Sequence, residues 1–119
     1  MSRLDEAPIL WFATVRPDGR PHLTPIWFVA VDDALWLCTE ADAVKARNVA
    51  THANVSVAIG DGSLPTLGGE GTAFVHGRPF PDAVVRAFVE KFDWDISASN
   101  EGYDALVEIR ITRWLMGSP

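Results

Sequence analysis

Residues 9–31 read ILWFATV RPDGR PHLTPIWFVAV, and the fold turns on this stretch. Ile9 to Val15 is an apolar run of residues that favour strands. It ends at Arg16-Pro17-Asp18-Gly19-Arg20. An Asp-Gly pair between two strand-like runs predicts a hairpin, because both residues tolerate the positive φ of tight turns. The second strand then covers Pro21 to Val31, and Asp32-Asp33 turns it into a third, Ala34 to Thr39. A three-stranded antiparallel meander is expected. Trp27 and Phe28 stand side by side and break the alternation, so both faces of the second strand are expected to meet protein or ligand.

Working outward, Glu40 to His52 carries Ala43, Val44, Ala46, Val49 and Ala50 at helical spacing, with Asp42 or Thr39 available as a cap. A fourth strand is expected over Val55 to Gly60, a loop over Asp61 to Gly69 and a fifth strand from Glu70 to Arg78. Pro81 to Phe92 reads as a second helix, Phe92 to Asn100 as a linker, and Tyr103 to Leu115 as a sixth, alternating strand. The expected fold class is therefore mainly β: a closed or partly closed six-stranded antiparallel barrel with two short helices, forming one domain over residues 1–119. Tight turns between consecutive strands leave no room for the crossovers of a Rossmann fold.

Composition narrows the function. Ten Lys and Arg against sixteen Asp and Glu give a formal net charge of −6, which argues against a sequence-independent nucleic-acid binder. Cys38 is the only cysteine, which excludes an intrachain disulfide and a cysteine-rich metal centre. His22, His52 and His76 lack metal-ligand spacing and are expected to be structural or surface residues, His22 keeping a weaker candidacy for ligand contact. No basic segment leads into a long apolar run, so the cytoplasm is the expected location and no membrane association is expected. Five tryptophans exceed what one small core easily encloses, and either a ligand pocket, a subunit interface or the sheet core can take each of them.

The strongest local signal is Cys38-Thr39 at a strand end followed by Lys45 and Arg47 in the first turns of a helix. Cations there add charge-assisted bonds to an anion held at the helix start; the alternative is a solvated helix face with a fortuitous cation. Cys38 lies in an apolar strand, where an inert thiol is the default. Asp93, Asp95, Glu101 and Asp104 lack calcium-loop spacing and read as a solvated linker. Trp94 either packs the second helix on the barrel or folds over a ligand mouth, and Tyr103 offers a hydroxyl with no partner evident in the sequence.

The segments VRPDGRPHLTPIWF, LWLCTEADAVKARNV, HANVSVAI and GGEGTAFV, in that order, resemble the pyridoxamine 5′-phosphate oxidase-like family of split-barrel flavin and deazaflavin proteins. The likeness is close over Ile9 to Phe80 and loose over the terminal ALVEIRITRWLMG. It implies a homodimer of six-stranded split barrels with a cofactor in each of two grooves between subunits. It also implies that His22, Leu23, Thr24, Pro25, Ile26 and Trp27 run along the isoalloxazine ring and ribityl chain. Cys38 and Thr39 would then face the ring and phosphate, Lys45 would bind the phosphate and Arg47 would assist. Gly71 falls where the family brings two strands close together.

Departures matter as well. Val44 stands where pyridoxamine phosphate oxidases have an arginine, Trp27 where they have a substrate-phosphate lysine, and their C-terminal arginine–histidine pair is not evident. Oxidation of vitamin B6 is therefore not expected. The N-terminus also looks too short for the helix that usually precedes the first strand. The resemblance implies a flavin-dependent oxidoreductase moving a hydride or electron pair between FMN and a small organic molecule. The KARN segment is similar to deazaflavin reductases and makes the 8-hydroxy-5-deazaflavin cofactor the alternative, although few cations are spare for its acidic tail. A noncatalytic flavin- or haem-related binding protein and a ligand-free dimer are the other readings.

Overall fold

The computed structural model describes residues 3–60, 66–98, 102–117 and 119. Ten elements follow in chain order: α1 (Arg3–Glu6), β1 (Ile9–Val15), β2 (Pro21–Trp27), β3 (Val29–Val31), β4 (Ala34–Thr39), α2 (Val44–Thr51), β5 (Asn54–Ile59), β6 (Leu67–His76), α3 (Asp82–Phe92) and β7 (Ala105–Met116). The strands form one antiparallel sheet in the order β2-β1-β5-β6-β7-β4-β3. The expected six strands and two helices are corrected to seven and three, in a curled sheet rather than a closed barrel.

The extra strand comes from the Trp27–Phe28 break. Inward and outward residues alternate through β2, but Phe28 and Val29 are both buried, so the chain bends there and starts a new strand. The meander is corrected with it: β2 pairs only with β1, and β3 only with β4. These two strands are the opposite edges of the sheet, yet only Phe28 separates them in the chain. The sheet must curl until its edges meet. Phe28 N–H donates to the Pro8 carbonyl at 3.4 Å, which fastens the junction beside the start of β1.

Turn chemistry explains the two hairpins. At Arg16–Arg20 the Gly19 N–H donates to the Arg16 carbonyl (2.9 Å) and the Arg16 N–H to the Arg20 carbonyl (2.9 Å). Only Gly19 takes positive φ, as in a type I turn closed by a left-handed residue. Asp32 and Asp33 both take positive φ, and their turn joins β3 to β4.

Leu10, Phe12, Leu35, Leu37, Val57 and Ile109 fill the inside of the curl. β4 is buried on both faces, because Trp36 and Cys38 point the other way into a second core under α3, with Val84, Phe88 and Ile96. β6 and β7 approach closely at Gly71, where a Cβ would overlap the Arg110 carbonyl oxygen and stand 2.9 Å from the Ile111 Cα. A register shift marks the spot.

Helix α1 corrects the expectation of a missing N-terminal helix, and its Leu4 packs against the inner core. Helix α2 starts four residues later than expected, at Val44, with Ala43 as its cap and no side-chain capping bond from Asp42 or Thr39. The expected loop and linker fall partly outside the described residues, at 61–65 and 99–100, as does Glu101.

Lys91 ties three elements together. Its Nζ donates to the Phe28 carbonyl (2.9 Å) and the Leu4 carbonyl (3.2 Å), and lies 4.1 Å from the centre of the Phe28 ring. Burial lowers its pKa to about 8, with the Asp5 carboxylate pulling the other way. Between pH 8 and the ordinary lysine range the unfolded chain then holds more protons than the folded one, so stability rises with pH over that window. Denaturant midpoints measured from pH 7 to pH 10 should show this rise in the native protein. They should lose it in Lys91→Met, and an unchanged slope in the variant would refute the assignment.

Candidate functional site

A groove of about 830 Å³ opens where three walls meet. The first is the end of β2 with Pro25, Ile26 and Trp27, the second is Cys38, Thr39 and Lys45 where β4 leads into α2, and the third is Phe92, Trp94 and Tyr103. That volume suits a ligand of cofactor size.

The third wall follows from how α3 ends. Asp93 takes the left-handed conformation, its N–H bonds to the Val89 carbonyl at 2.9 Å, and the chain folds back over its own helix. Trp94 then meets Phe88 and Tyr103 edge-on, with ring centres 5.6 and 5.5 Å apart. Trp27 stacks on Phe92 at 4.4 Å and 3°, and meets Trp94 at 6.1 Å. Trp27 remains 47% exposed, so a planar ligand can still reach it. Arg78 holds the segment in place: it donates to Asp104 Oδ1 (3.0 Å) and to the carbonyls of Ile96 (2.6 Å), Ala98 (3.0 Å) and Tyr103 (2.9 Å), and lies 4.4 Å over the Phe80 ring.

The wall where β4 leads into α2 carries Lys45 together with Glu40. Lys45 sits in the first turn of α2, and burial lowers its pKa while Glu40 raises it. Cys38 is buried, its Sγ 3.5 Å from the Tyr103 carbonyl, and desolvation raises its pKa to about 11. The thiol therefore stays protonated at neutral pH and cannot serve there as a nucleophile.

Of the ten residues singled out in the sequence, the structure brings six to the groove: Pro25, Ile26, Trp27, Cys38, Thr39 and Lys45. His22 and Thr24 lie half-buried on the inward face of β2, Leu23 points outward at 61% exposure, and Arg47 is exposed on α2; none of these four lines the groove. Sequence reasoning left out Ile9, Glu40, Ala43, Phe92 and Asp93. Trp94, expected either to pack the second helix or to fold over a ligand mouth, packs on Phe88 of α3 and also lines the groove, as does Tyr103. Of the other histidines, His52 ends α2, and His76 bonds to Glu108 at 2.8 Å. Among the described residues no group of three His, Cys, Asp or Glu could hold a metal ion, and no helix is long and apolar enough to cross a membrane.

A curled antiparallel sheet with a groove at its strand ends defines a split-barrel protein of a class whose members differ widely in function. Residues 2–116 match the family model described as pyridoxamine 5′-phosphate oxidase, and the chain belongs to that family. Among solved structures it is similar to an F420 reductase (22% identity, covering 93% of this chain and 92% of that one, TM-score 0.73). It is also similar to the haem storage protein HutZ from Vibrio cholerae (19% identity, 96% and 89% covered, TM-score 0.80). A conserved protein, Rv2991, from Mycobacterium tuberculosis shares 25% identity (92% and 76% covered, TM-score 0.73). No curated protein sequence matches the chain.

Proposed function

We propose that the chain binds FMN in this groove and acts, as a homodimer, as an oxidoreductase that moves a hydride or electron pair to or from a small organic substrate. One observation carries the reading: a single groove is lined both by aromatic side chains and by a lysine that, among the described residues, makes no salt bridge. A flavin mononucleotide carries the matching pair, a planar ring system and a phosphate. When bound, the isoalloxazine ring supplies the redox chemistry. Trp27 gives the ring a surface to stack on, Lys45 anchors the phosphate, and the protonated Cys38 thiol leaves the ring unattacked.

The homodimer is supported by the outward face of β1 and β2. Register places Trp11 beside Pro25, Ala13 beside Leu23 and Ile9 beside Trp27, a continuous apolar strip on which Trp11, Leu23 and Trp27 are well exposed. Such strips mark association surfaces. Sedimentation velocity reads the assembly.

Titration of the purified protein with FMN, riboflavin and the deazaflavin cofactor tests the ligand. FMN should bind in the micromolar range or tighter. Lys45→Ala should loosen FMN by about tenfold or more and leave riboflavin, which lacks the phosphate, unchanged. Selective binding of the deazaflavin would transfer the proposal to that cofactor, and binding of neither would refute it.

A further inference from the structure

We infer that the substrate meeting the flavin in this groove is a planar organic cation, and that Asp93 is the residue that selects it. Lys45 is given to a phosphate by the flavin reading, on which this substrate class rests. The charged residues lining the groove are Glu40, Lys45 and Asp93, two carboxylates against one ammonium, a formal sum of −1. A bound FMN phosphate brings about −2 and takes the loaded groove to about −3. Neither cation of the neighbouring elements corrects this. Lys91 is bonded to the Leu4 and Phe28 carbonyls, and Arg78 to Asp104 and three carbonyls. A cleft whose walls carry one sign concentrates its field on what enters, so the loaded groove attracts cations and repels carboxylates and phosphates.

Of the two carboxylates, Glu40 stands by Lys45 and acts on it, while Asp93 belongs to the aromatic wall. Its chain neighbours Phe92 and Trp94 line the groove with it, as does Tyr103, and Asp93 itself is exposed. With Trp27 given to the flavin ring, Trp94 and Tyr103 remain for the substrate. A cation there has a carboxylate for its charge and aromatic rings for its frame, the combination that recognises quaternary ammonium and N-alkylated heteroaromatic groups.

Nothing in the local structure calls for an acid at this position. Asp93 follows the last turn of α3 at φ 53°, where glycine or asparagine is the usual occupant. Its charge opposes the helix dipole, whereas that of Asp82, in the first turn of the same helix, favours it. Among the described residues the Asp93 carboxylate makes no hydrogen bond or salt bridge, while that of Asp95, outside the groove, accepts the Ser97 N–H at 2.9 Å. An acid that costs its own helix stability and bonds to nothing in the fold is explained by a ligand.

The test uses three probes of similar shape and different charge: N-methylquinolinium, quinoline, which is uncharged near neutral pH, and quinoline-3-carboxylate. Each is titrated calorimetrically into FMN-loaded and FMN-free protein, native and Asp93→Asn. Asparagine keeps the shape of the side chain and tolerates the left-handed backbone, so the wall is preserved. The FMN-loaded native protein should bind N-methylquinolinium about tenfold more tightly than quinoline, and quinoline-3-carboxylate most weakly. Asp93→Asn should lose about tenfold for the cation and keep its affinity for quinoline, while its urea midpoint stays level or rises. Equal binding of the cation and quinoline by the FMN-loaded native protein, or native-strength cation binding by Asp93→Asn, overturns the inference and leaves the flavin reading intact. Asp93-dependent cation binding by a protein that takes up neither FMN nor the deazaflavin retains the cation site and refutes the flavin reading. Should Asp93→Asn fail to fold, salt decides on the native protein. Binding of the cation should weaken as sodium chloride is raised while that of quinoline holds, and a cation affinity indifferent to salt overturns the inference.

Discussion

Gly71→Ala is expected to lose at least about 3 kcal/mol of folding stability, a large part of what a domain of this size possesses. Here the added methyl meets backbone: the Arg110 carbonyl oxygen lies where the Cβ would go, and the Ile111 Cα stands 2.9 Å away. β6 and β7 are both central strands, so neither can move aside without disturbing its other neighbour, β5 or β4. Gly77 is the control, since a Cβ there meets nothing within 4 Å and Gly77→Ala should stay within about 0.5 kcal/mol of the native chain. Urea unfolding of both variants decides it. A Gly71→Ala midpoint close to that of Gly77→Ala would show that the strands can separate.

Arg78→Ala should cost about 2–4 kcal/mol and loosen one wall of the groove. Its guanidinium is the common partner of Asp104 and of the Ile96, Ala98 and Tyr103 carbonyls, and its side chain is 24% exposed, so water only partly replaces those bonds. Arg78→Lys keeps the charge but cannot spread donors over four acceptors, and should recover less than half of the loss. Limited proteolysis supplies a second reading. Cleavage in the stretch after α3 should quicken in Arg78→Ala before global unfolding begins, and equal cleavage in the two proteins would assign Arg78 a purely local electrostatic part.

The strand-end half of the groove was legible in the sequence, because its residues are fixed by local signals. The hairpin turn at Asp18-Gly19 aims β2, and Thr39 and Lys45 follow from where β4 stops and α2 begins. The α3 half was not, since Trp94 and Tyr103 take their places through the left-handed Asp93 and the reach of Arg78 across the chain. The Trp27–Phe28 irregularity was visible too, but two adjacent aromatics describe both a strand buried on its two faces and a strand that ends. Pairing partners decide between these, and they are distant in sequence. The same distance hid the strand order, whereas Gly71 was found through family resemblance alone.

The single residue between β2 and β3 sets the order of assembly. The β1–β2 and β3–β4 hairpins need only short loops, so both can form early and independently. Their union requires β4 to find β7, which matches Leu35 with Ile109 across a long stretch of chain. Phe28, buried at that junction with its ring beside Lys91, is expected to reach its place after that search succeeds. The refolding clock of this protein is thus expected to be set by its C-terminal strand, with the junction at Phe28 locking last.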